Sequence, residues 1–514
     1  MTRSIPEKPV LEGLENTWGE AWESQGTYRF NRDEAVKRGK DNVFAIDTPP
    51  PTASGSLHIG HVFSYTHMDL QARYQRMQGK EIFYPMGWDD NGLPTERRVQ
   101  NYYGVRCDPS LPYTEGFVPP LESGATTDGS KPGDQEPISR RNFIELCETL
   151  TLEDEKQFED LWRSLGLSVD WSLTYRTIDN HSQRVAQQAF LNNLDRGEAY
   201  RADAPTLWDI TFRTAVAQAE LEDREQPSAY HRVAFGSASG GDDVVIVTTR
   251  PELIPACVAL VAHPDDERYQ DLFGTTVTSP LFGVEVTILP HHLAQKDKGT
   301  GIAMVCTFGD VTDVIWWREL GLNTRPILGR DGRIVSDTPP WLKDSDAQKS
   351  FAELAGKTVF SAKAAMVEML GASGALLGEP EKMVHPVKFF EKGDKPLEIV
   401  TTRQWYIANG AKDPELASRL LERGKQLAFH PDFMRVRYEN WVNGLSGDWL
   451  ISRQRFFGVP IPVWYPLDEH GEPLEGEVLA PEKSSLPVDP SSQPPPGFSE
   501  DQRGKPGGFV GEVD

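Results

Sequence analysis

The stretch from Val43 to Gln100 constrains what this chain can fold into more than any other. Val43 to Asp47 is β-branched and aromatic and is stopped by Pro49, Pro50 and Pro51, so it reads as a short buried strand. Ala53, Ser54, Gly55 and Ser56 make a small-residue turn. A helix then opens near His58, with Ile59, Val62, Tyr65, Met68 and Leu70 at roughly helical spacing. Strand, turn and helix N-terminus in that order are how α/β folds receive phosphates, because free amides and the positive helix end face the anion. His58 and His61 share one face of the first turn, where two imidazoles can donate hydrogen bonds to a polyphosphate. Taken alone, a His pair there can equally cap the helix. The context tips the balance, since the triple proline, the Gly-Ser turn and a second Gly-rich segment, Gly87 to Gly92, all fall where a strand should end.

This arrangement resembles the His-Ile-Gly-His signature of the class I aminoacyl-tRNA synthetases. The resemblance implies an α/β fold: a doubly wound parallel, Rossmann-like nucleotide-binding sheet of the class I synthetase type. It also implies activation of an amino acid by ATP, as an aminoacyl-adenylate, before transfer to tRNA.

Length and composition agree with a multidomain globular chain. At 514 residues it can hold three or four domains. A formal net charge of −24 argues against nucleic acid as a partner only if charge is spread evenly. Arg73, Arg76, Lys80, Arg97, Arg98, Arg140 and Arg141 read as locally basic runs. The four cysteines form no C-x-x-C pair, so neither a disulfide framework nor a zinc site is expected and a reducing cytoplasm fits. The N-terminus lacks the apolar core of a signal peptide, and no run is apolar enough for a membrane partner.

Along the chain, Leu11, Leu14, Trp18 and Trp22 make an amphipathic helix whose Trp side chains are expected in the core. Asp108 to Pro137 reads as a long loop, and two helical stretches follow it. From about Ala202 many short alternating strands imply a small barrel or sandwich, inserted into the first domain. The expected division is residues 1–200 for the N-terminal helix and first half of the catalytic domain, 201–345 for the mostly-β insertion, 346–466 for the return and second half, and 467–514 for a Pro/Gly-rich end. That last segment reads as flexible, with no packed core of its own.

Further segments look like the valine, isoleucine and leucine subgroup of the family, whose insertion edits mischarged tRNA. They are Thr248-Thr249-Arg250-Pro251-Glu252, His263 to Tyr269, Gly299-Thr300-Gly301 and Ile451-Ser452-Arg453-Gln454-Arg455. The valine-specific members are most similar, on Gly87-Trp88-Asp89-Asp90-Asn91-Gly92-Leu93-Pro94-Thr95-Glu96, Leu167 to Trp171 and Arg403 to Ile407. Most members carry Asn where this chain has Thr52, and Asp-His-Ala-Gly where it has Asp89-Asp90-Asn91-Gly92. Sister ligases for isoleucine or leucine differ only in pocket shape. A fragment that binds or deacylates tRNA without adenylation, or a scaffold with decayed activity, are further alternatives.

The resemblance implies roles residue by residue. Gly55, His58, Gly60 and His61 hold ATP, with His58 and His61 catalytic and Mg²⁺ arriving with the nucleotide. Asp89 takes the amino acid's ammonium group, and Pro50, Trp405 and Phe457 wall its side chain. Thr248, Thr249 and Arg250 bind the tRNA 3′ end and orient water for editing, while Asp310 and Asp313 recognise the amino group and the threonyl hydroxyl. Asp310 and Asp313 also sit where a helix N-cap pair would. Many relatives carry Lys and Thr where this chain has Met304 and Cys306, which points to other donors for editing. The implied partners are valine, ATP and tRNA(Val), with no resident metal, and the chain is expected to be a monomer. No Lys-Met-Ser-Lys-Ser loop occurs in the sequence. The chain therefore reads as the N-terminal portion of a longer synthetase, with little aminoacylation of its own.

Overall fold

The computed structural model describes residues 13–53, 57–121, 135–237, 240–391, 393–445 and 447–514. The chain divides into two compact units, Met1–Asp195 with Arg455–Asp514, and Arg196–Gln454.

The first unit runs through α1 (Leu14–Gln25), α2 (Arg32–Arg38), β1 (Val43–Ala45), α3 (Ile59–Met77), β2 (Glu81–Phe83) and β3 (Gly87–Trp88). It continues with α4 (Leu93–Tyr103), β4 (Val105–Cys107), β5 (Glu136–Ile138), α5 (Arg140–Ser164), β6 (Tyr175–Arg176) and α6 (Asn180–Asp195). β1 pairs parallel with β2, β3 with β6, and β4 with β5. Backbone bonds extend these short ladders. Asp89 N donates to Pro51 O at 2.9 Å, Tyr175 N to Met86 O at 3.1 Å and Thr177 N to Trp88 O at 2.9 Å. Residues 81–89 thus pair parallel with 43–46 and 51–53 on one side and with 170–177 on the other, with helical crossovers as a doubly wound sheet requires. Its core stacks Trp88 on Trp162, ring centroids 5.5 Å apart, over Tyr84, Met86 and Phe158.

Several expectations are corrected here. α3 buries Tyr65, Asp69 and Ala72, whereas Ile59 and Leu70 are exposed. Counted from Tyr65, six and five residues carry Ile59 and Leu70 roughly 240° and 140° round the helix, off the core stripe. Trp18 is 44% exposed rather than core; it stacks on Trp22, which itself takes the Arg73 guanidinium over its ring. Much of the expected basic surface is consumed internally. Arg73 pairs with Asp69, Arg98 with Asp154, Arg140 with Asp489 and Arg141 with Glu145.

The second unit contains β7 (Ala199–Asp209), β8 (Thr214–Ala215), β9 (Leu221–Ser237), β10 (Val244–Thr248), β11 (Cys257–Ala262), β12 (Thr276–Thr278), β13 (Glu285–Pro290) and β14 (Ile302–Cys306). After them come α7 (Val311–Leu320), α8 (Ser345–Ala352), α9 (Val359–Ser373), β15 (Glu381–Phe390), β16 (Glu398–Ile407), α10 (Pro414–Gly424), α11 (Arg435–Asn443) and β17 (Trp449–Leu450). A seven-stranded sheet runs β10-β9-β12-β13-β11-β14, with β15 also on β9, and a four-stranded sheet runs β17-β16-β7-β8. α8 and α9 cover the larger sheet through Phe351, Ala362, Met366 and Leu370, packed with Val233, Phe235 and Ile246.

Back in the first unit, β18 (Trp464–Pro466) pairs antiparallel with β19 (Phe509–Gly511). The expected flexible end is instead packed. Trp464 and Phe509 are buried, Gln187 exchanges two hydrogen bonds with Val488, and Arg140 pairs with Asp489 at 2.6 Å. Few apolar residues suffice because polar side chains satisfy the irregular backbone. Among the described residues, no helix is long and apolar enough to cross a membrane.

Candidate functional site

His58 is the N-cap of α3. The His58 ring folds back so that Nδ1 accepts from Gly60 N at 3.1 Å, and His61 Nδ1 accepts from His58 N at 3.3 Å. A Cβ at residue 60 would stand 2.9 Å from the His58 ring, so glycine is required for this fold-back. The helix cap that a His pair could form here is thus present. With both Nδ1 atoms accepting, the proton of each neutral ring sits on Nε2, which is left as a donor. The rings lie 4.0 Å apart, and burial, then the neighbouring His58, lowers the His61 pKa. His58, Gly60 and His61 thus stand together at the mouth of the helix, while Gly55 lies outside the described residues.

Asp89 sits at the end of the central strand, next to the proline turn. Ala53 N donates to its carbonyl at 3.0 Å and Thr52 Oγ1 to its carboxylate at 3.3 Å. Pro50 precedes the Pro51 carbonyl that Asp89 N meets, so Pro50 and Asp89 are brought close. The other two expected pocket residues are core. The Phe457 ring is 2% exposed and packs with Val99 and Phe143, and Trp405 is buried on β16 of the second unit. Residue type alone could not distinguish an aromatic pocket wall from a packed ring.

Sequence reasoning missed two polar clusters behind Asp89. Asp90 is fully buried, and Arg176 Nε reaches it at 3.2 Å and Glu155 at 2.7 Å. Burial, opposed by Arg176, pushes the Asp90 carboxyl up to about 6, while burial and the Asp90 charge push Glu155 up to about 7. The second cluster is a clamp. Glu96 Oε1 accepts from Phe456 N at 2.7 Å and Phe457 N at 3.0 Å, and Oε2 meets Arg455 at 3.3 Å. It fastens α4 to a segment some 360 positions later. Glu96→Ala would leave the Phe456 and Phe457 amides without their acceptor, and we expect a loss of about 2 kcal/mol in urea unfolding.

In the second unit the predicted editing residues gather around Gly309. Arg250 Nε meets Glu252 at 2.6 Å, Nη2 meets Glu398 at 2.9 Å, and Nη1 donates to Gly309 O at 3.4 Å. Gly309 N in turn donates to Asp313 at 2.8 Å, and Asp310 caps α7 with Asp313 completing the capping box. The cap pair anticipated for Asp310 and Asp313 is thus present. Arg250, expected to bind a tRNA end, has its fork committed to two buried carboxylates. Burial alone would lower its pKa, but Glu398 and Glu252 outweigh that and hold it raised. Thr248 ends β10, its hydroxyl accepting from Arg250 N at 2.9 Å, and Thr249 follows half-buried. Met304 and Cys306 lie on β14, where Cys306 is buried and its thiol meets Leu253 O.

Burial, then the Asp310 charge, raises the Asp313 carboxyl to about 8. A carboxyl raised on folding stabilises the native state fully below its unfolded pKa and loses that contribution as pH rises through the folded value. Thermal melts should therefore fall between about pH 5 and pH 8.5, and less steeply in Asp313→Asn.

His291, His292 and Glu319 bring ligand atoms within 4.8 Å of one another. His291 Nδ1 accepts from Leu293 N at 3.2 Å, however, so Nε2 holds the proton and donates to Glu319 at 2.8 Å. The pair anchors α7 to the end of β13, with both ring nitrogens of His291 engaged.

Comparison with known proteins agrees with this geometry. The family model for tRNA synthetases class I (I, L, M and V) matches residues 17–110 and 125–485. The chain is 70% identical over 510 residues to a valine--tRNA ligase of Leifsonia xyli subsp. xyli, covering 99% of this chain and 59% of that protein. It is 67% identical over 511 residues to one of Thermobifida fusca, covering 99% and 57%, and 64% identical over 510 residues to one of Salinispora tropica, covering 99% and 58%. It thus spans somewhat over half the length of these relatives. The family match runs through both units, so the chain belongs to the class I tRNA synthetases of the isoleucine, leucine, methionine and valine group.

Proposed function

We propose that this chain carries the amino-acid-activating and editing parts of a valine--tRNA ligase, with ATP, valine and tRNA(Val) as substrates. The observation that carries the reading is the His58–His61 pair, rings 4.0 Å apart, whose Nδ1 atoms both accept from backbone amides at the first turn of α3 and so leave Nε2 as the donors. As the valine carboxylate attacks the α-phosphorus of ATP, negative charge grows on the phosphate oxygens. Two neutral donors and the helix end stabilise that charge without being consumed. Asp89 pairs with the ammonium group and Pro50 bounds the side chain, which holds the carboxylate in line. Mg²⁺ enters with the nucleotide as part of the substrate.

A pocket shaped for valine rejects isoleucine by size, yet discriminates against threonine only about a hundredfold, because threonine differs by a hydroxyl of similar volume. Hydrolysis of threonyl-tRNA at Thr248, Thr249, Asp310 and Asp313 supplies the remainder. Arg250, pinned by Glu252 and Glu398, positions the Gly309 loop that presents the two aspartates.

Valine with ATP should raise the melting temperature of the chain more than isoleucine or leucine with ATP; ligand at a hundred times its Kd stabilises by about 2.7 kcal/mol. A larger shift with isoleucine or leucine, or none at all, would overturn the assignment. Valine-dependent ATP–pyrophosphate exchange by these 514 residues should be weak, because they contain no Lys-Met-Ser-Lys-Ser loop to stabilise the departing pyrophosphate.

A further inference from the structure

β9 and β10 pair antiparallel with His231 directly opposite Thr248. Directly opposed residues share a sheet face with Cβ atoms about 4.5–5.5 Å apart, so the imidazole lies beside the first hydroxyl of the Thr-Thr-Arg run. The next pair on that face, Val233 and Ile246, is core, which puts His231 at the rim where the core meets the editing residues. His231 is more than nine-tenths buried and its Nδ1 has no hydrogen-bond partner. Glu252 is fully buried too; Arg250 takes one of its oxygens, and Oε2 has no partner. Buried polar atoms left open are uncommon. Here one is a ring nitrogen and the other a carboxylate oxygen; they do not bond each other, and Glu252 acts on the ring through its charge.

The charged groups that face His231 are Lys363 of α9 and Glu252 of the 3-10 turn Pro251–Ala256. Burial, then Lys363, lowers the imidazole's pKa, and Glu252 opposes them. The ring is therefore neutral near pH 7. With its proton on Nδ1, the neutral ring keeps the Nε2 lone pair as a proton acceptor. The aspartates are poorly suited to that task, since Asp313 is raised in pKa and spends an oxygen on two loop amides.

We propose that His231, in the field of Glu252, takes the proton from the water that hydrolyses mischarged threonyl-tRNA. The role rests on the editing reading given above. The water oxygen bonds to the ester carbonyl carbon as its proton moves to Nε2. The ester bond to the terminal ribose then breaks, and the ribose oxygen recovers that proton from the imidazolium. Threonine and intact tRNA leave, and no other reactant is needed.

The test is single-turnover deacylation of threonyl-tRNA(Val) by the full chain and its His231→Gln, His231→Asn and Glu252→Gln variants, from about pH 5 to pH 9. The wild-type rate should fall on the acid side as His231 protonates. His231→Gln should lose about 10²–10⁴-fold in rate with unchanged KM and no acid limb. Glu252→Gln should lose less and move the limb. If neither His231 variant folds, the wild-type profile decides, because a rate that stays flat down to pH 5 overturns the role. His231→Gln with wild-type rate and profile, alongside loss of deacylation in Asp310→Ala/Asp313→Asn, overturns the histidine and leaves editing in place. Absence of deacylation in the wild-type chain overturns both.

Discussion

Replacing Arg250 with alanine should destabilise the chain by about 3–5 kcal/mol, because it leaves two buried carboxylates without their counter-charge. Glu252 is fully buried and Glu398 is 6% exposed, and both face the same guanidinium. Neither can reach water to recover solvation, so the variant must bury charge or take up protons. Glu398 is already raised by burial against the pull of Arg250, and removing Arg250 raises it further. Carboxyls raised on folding favour the native state at low pH and lose that contribution as pH rises through their folded pKa. The deficit of Arg250→Ala should therefore be smaller at about pH 5 than at about pH 8. Arg250→Lys should recover only part of the loss, since a point charge cannot serve two carboxylates and the Gly309 carbonyl together. Urea midpoints at the two pH values read this directly. A pH-independent loss below about 1 kcal/mol would mean that the two acids find other partners.

The same residue shows where sequence reading stops. Thr248, Thr249 and Arg250 were identifiable as a contiguous run, yet Glu398 lies 148 positions away and nothing local announces it. Glu96 with Phe456 and Phe457, and Asp90 with Arg176, are invisible for the same reason: their physics is pairwise while their spacing is arbitrary. Local patterns fared better. The β1 strand, the proline stop and the helix at His58 are all fixed by steric and capping rules within a few residues. So were β10, β11, β13 and β14, whose alternation and β-branching survive in a mixed sheet. The long β9 was missed because its first half, Leu221 to Tyr230, is charged and half exposed. It is a strand because β15 pairs with it along its length from Leu221 to Tyr230. Composition misled at residues 467–514, where proline and serine were read as disorder although hydrogen bonds from α5 and α6 hold the segment in place.

Replacing both His58 and His61 with alanine should lower any exchange rate by about 10²–10³-fold, the scale of losing donors aimed at developing oxyanion charge, and weaken ATP binding as well. The pair also caps α3, so the loss has to be separated from simple unwinding. A lost N-cap costs only about 1 kcal/mol, and His58 is exposed, which keeps the stability change small beside the functional one. His58→Asn makes the separation. Asparagine accepts from Gly60 N as the imidazole does, so the helix start survives while the Nε2–H is gone. If phosphate contact is what matters, His58→Asn should keep its melting temperature and lose ATP affinity. Gly60→Ala approaches from the other side: its methyl would stand 2.9 Å from the His58 ring and drive it off the cap, so ATP affinity should fall with both imidazoles still present. Unchanged ATP affinity together with an unchanged exchange rate in the double alanine variant, measured on a protein that still melts cooperatively, would leave the pair with no role beyond capping its own helix.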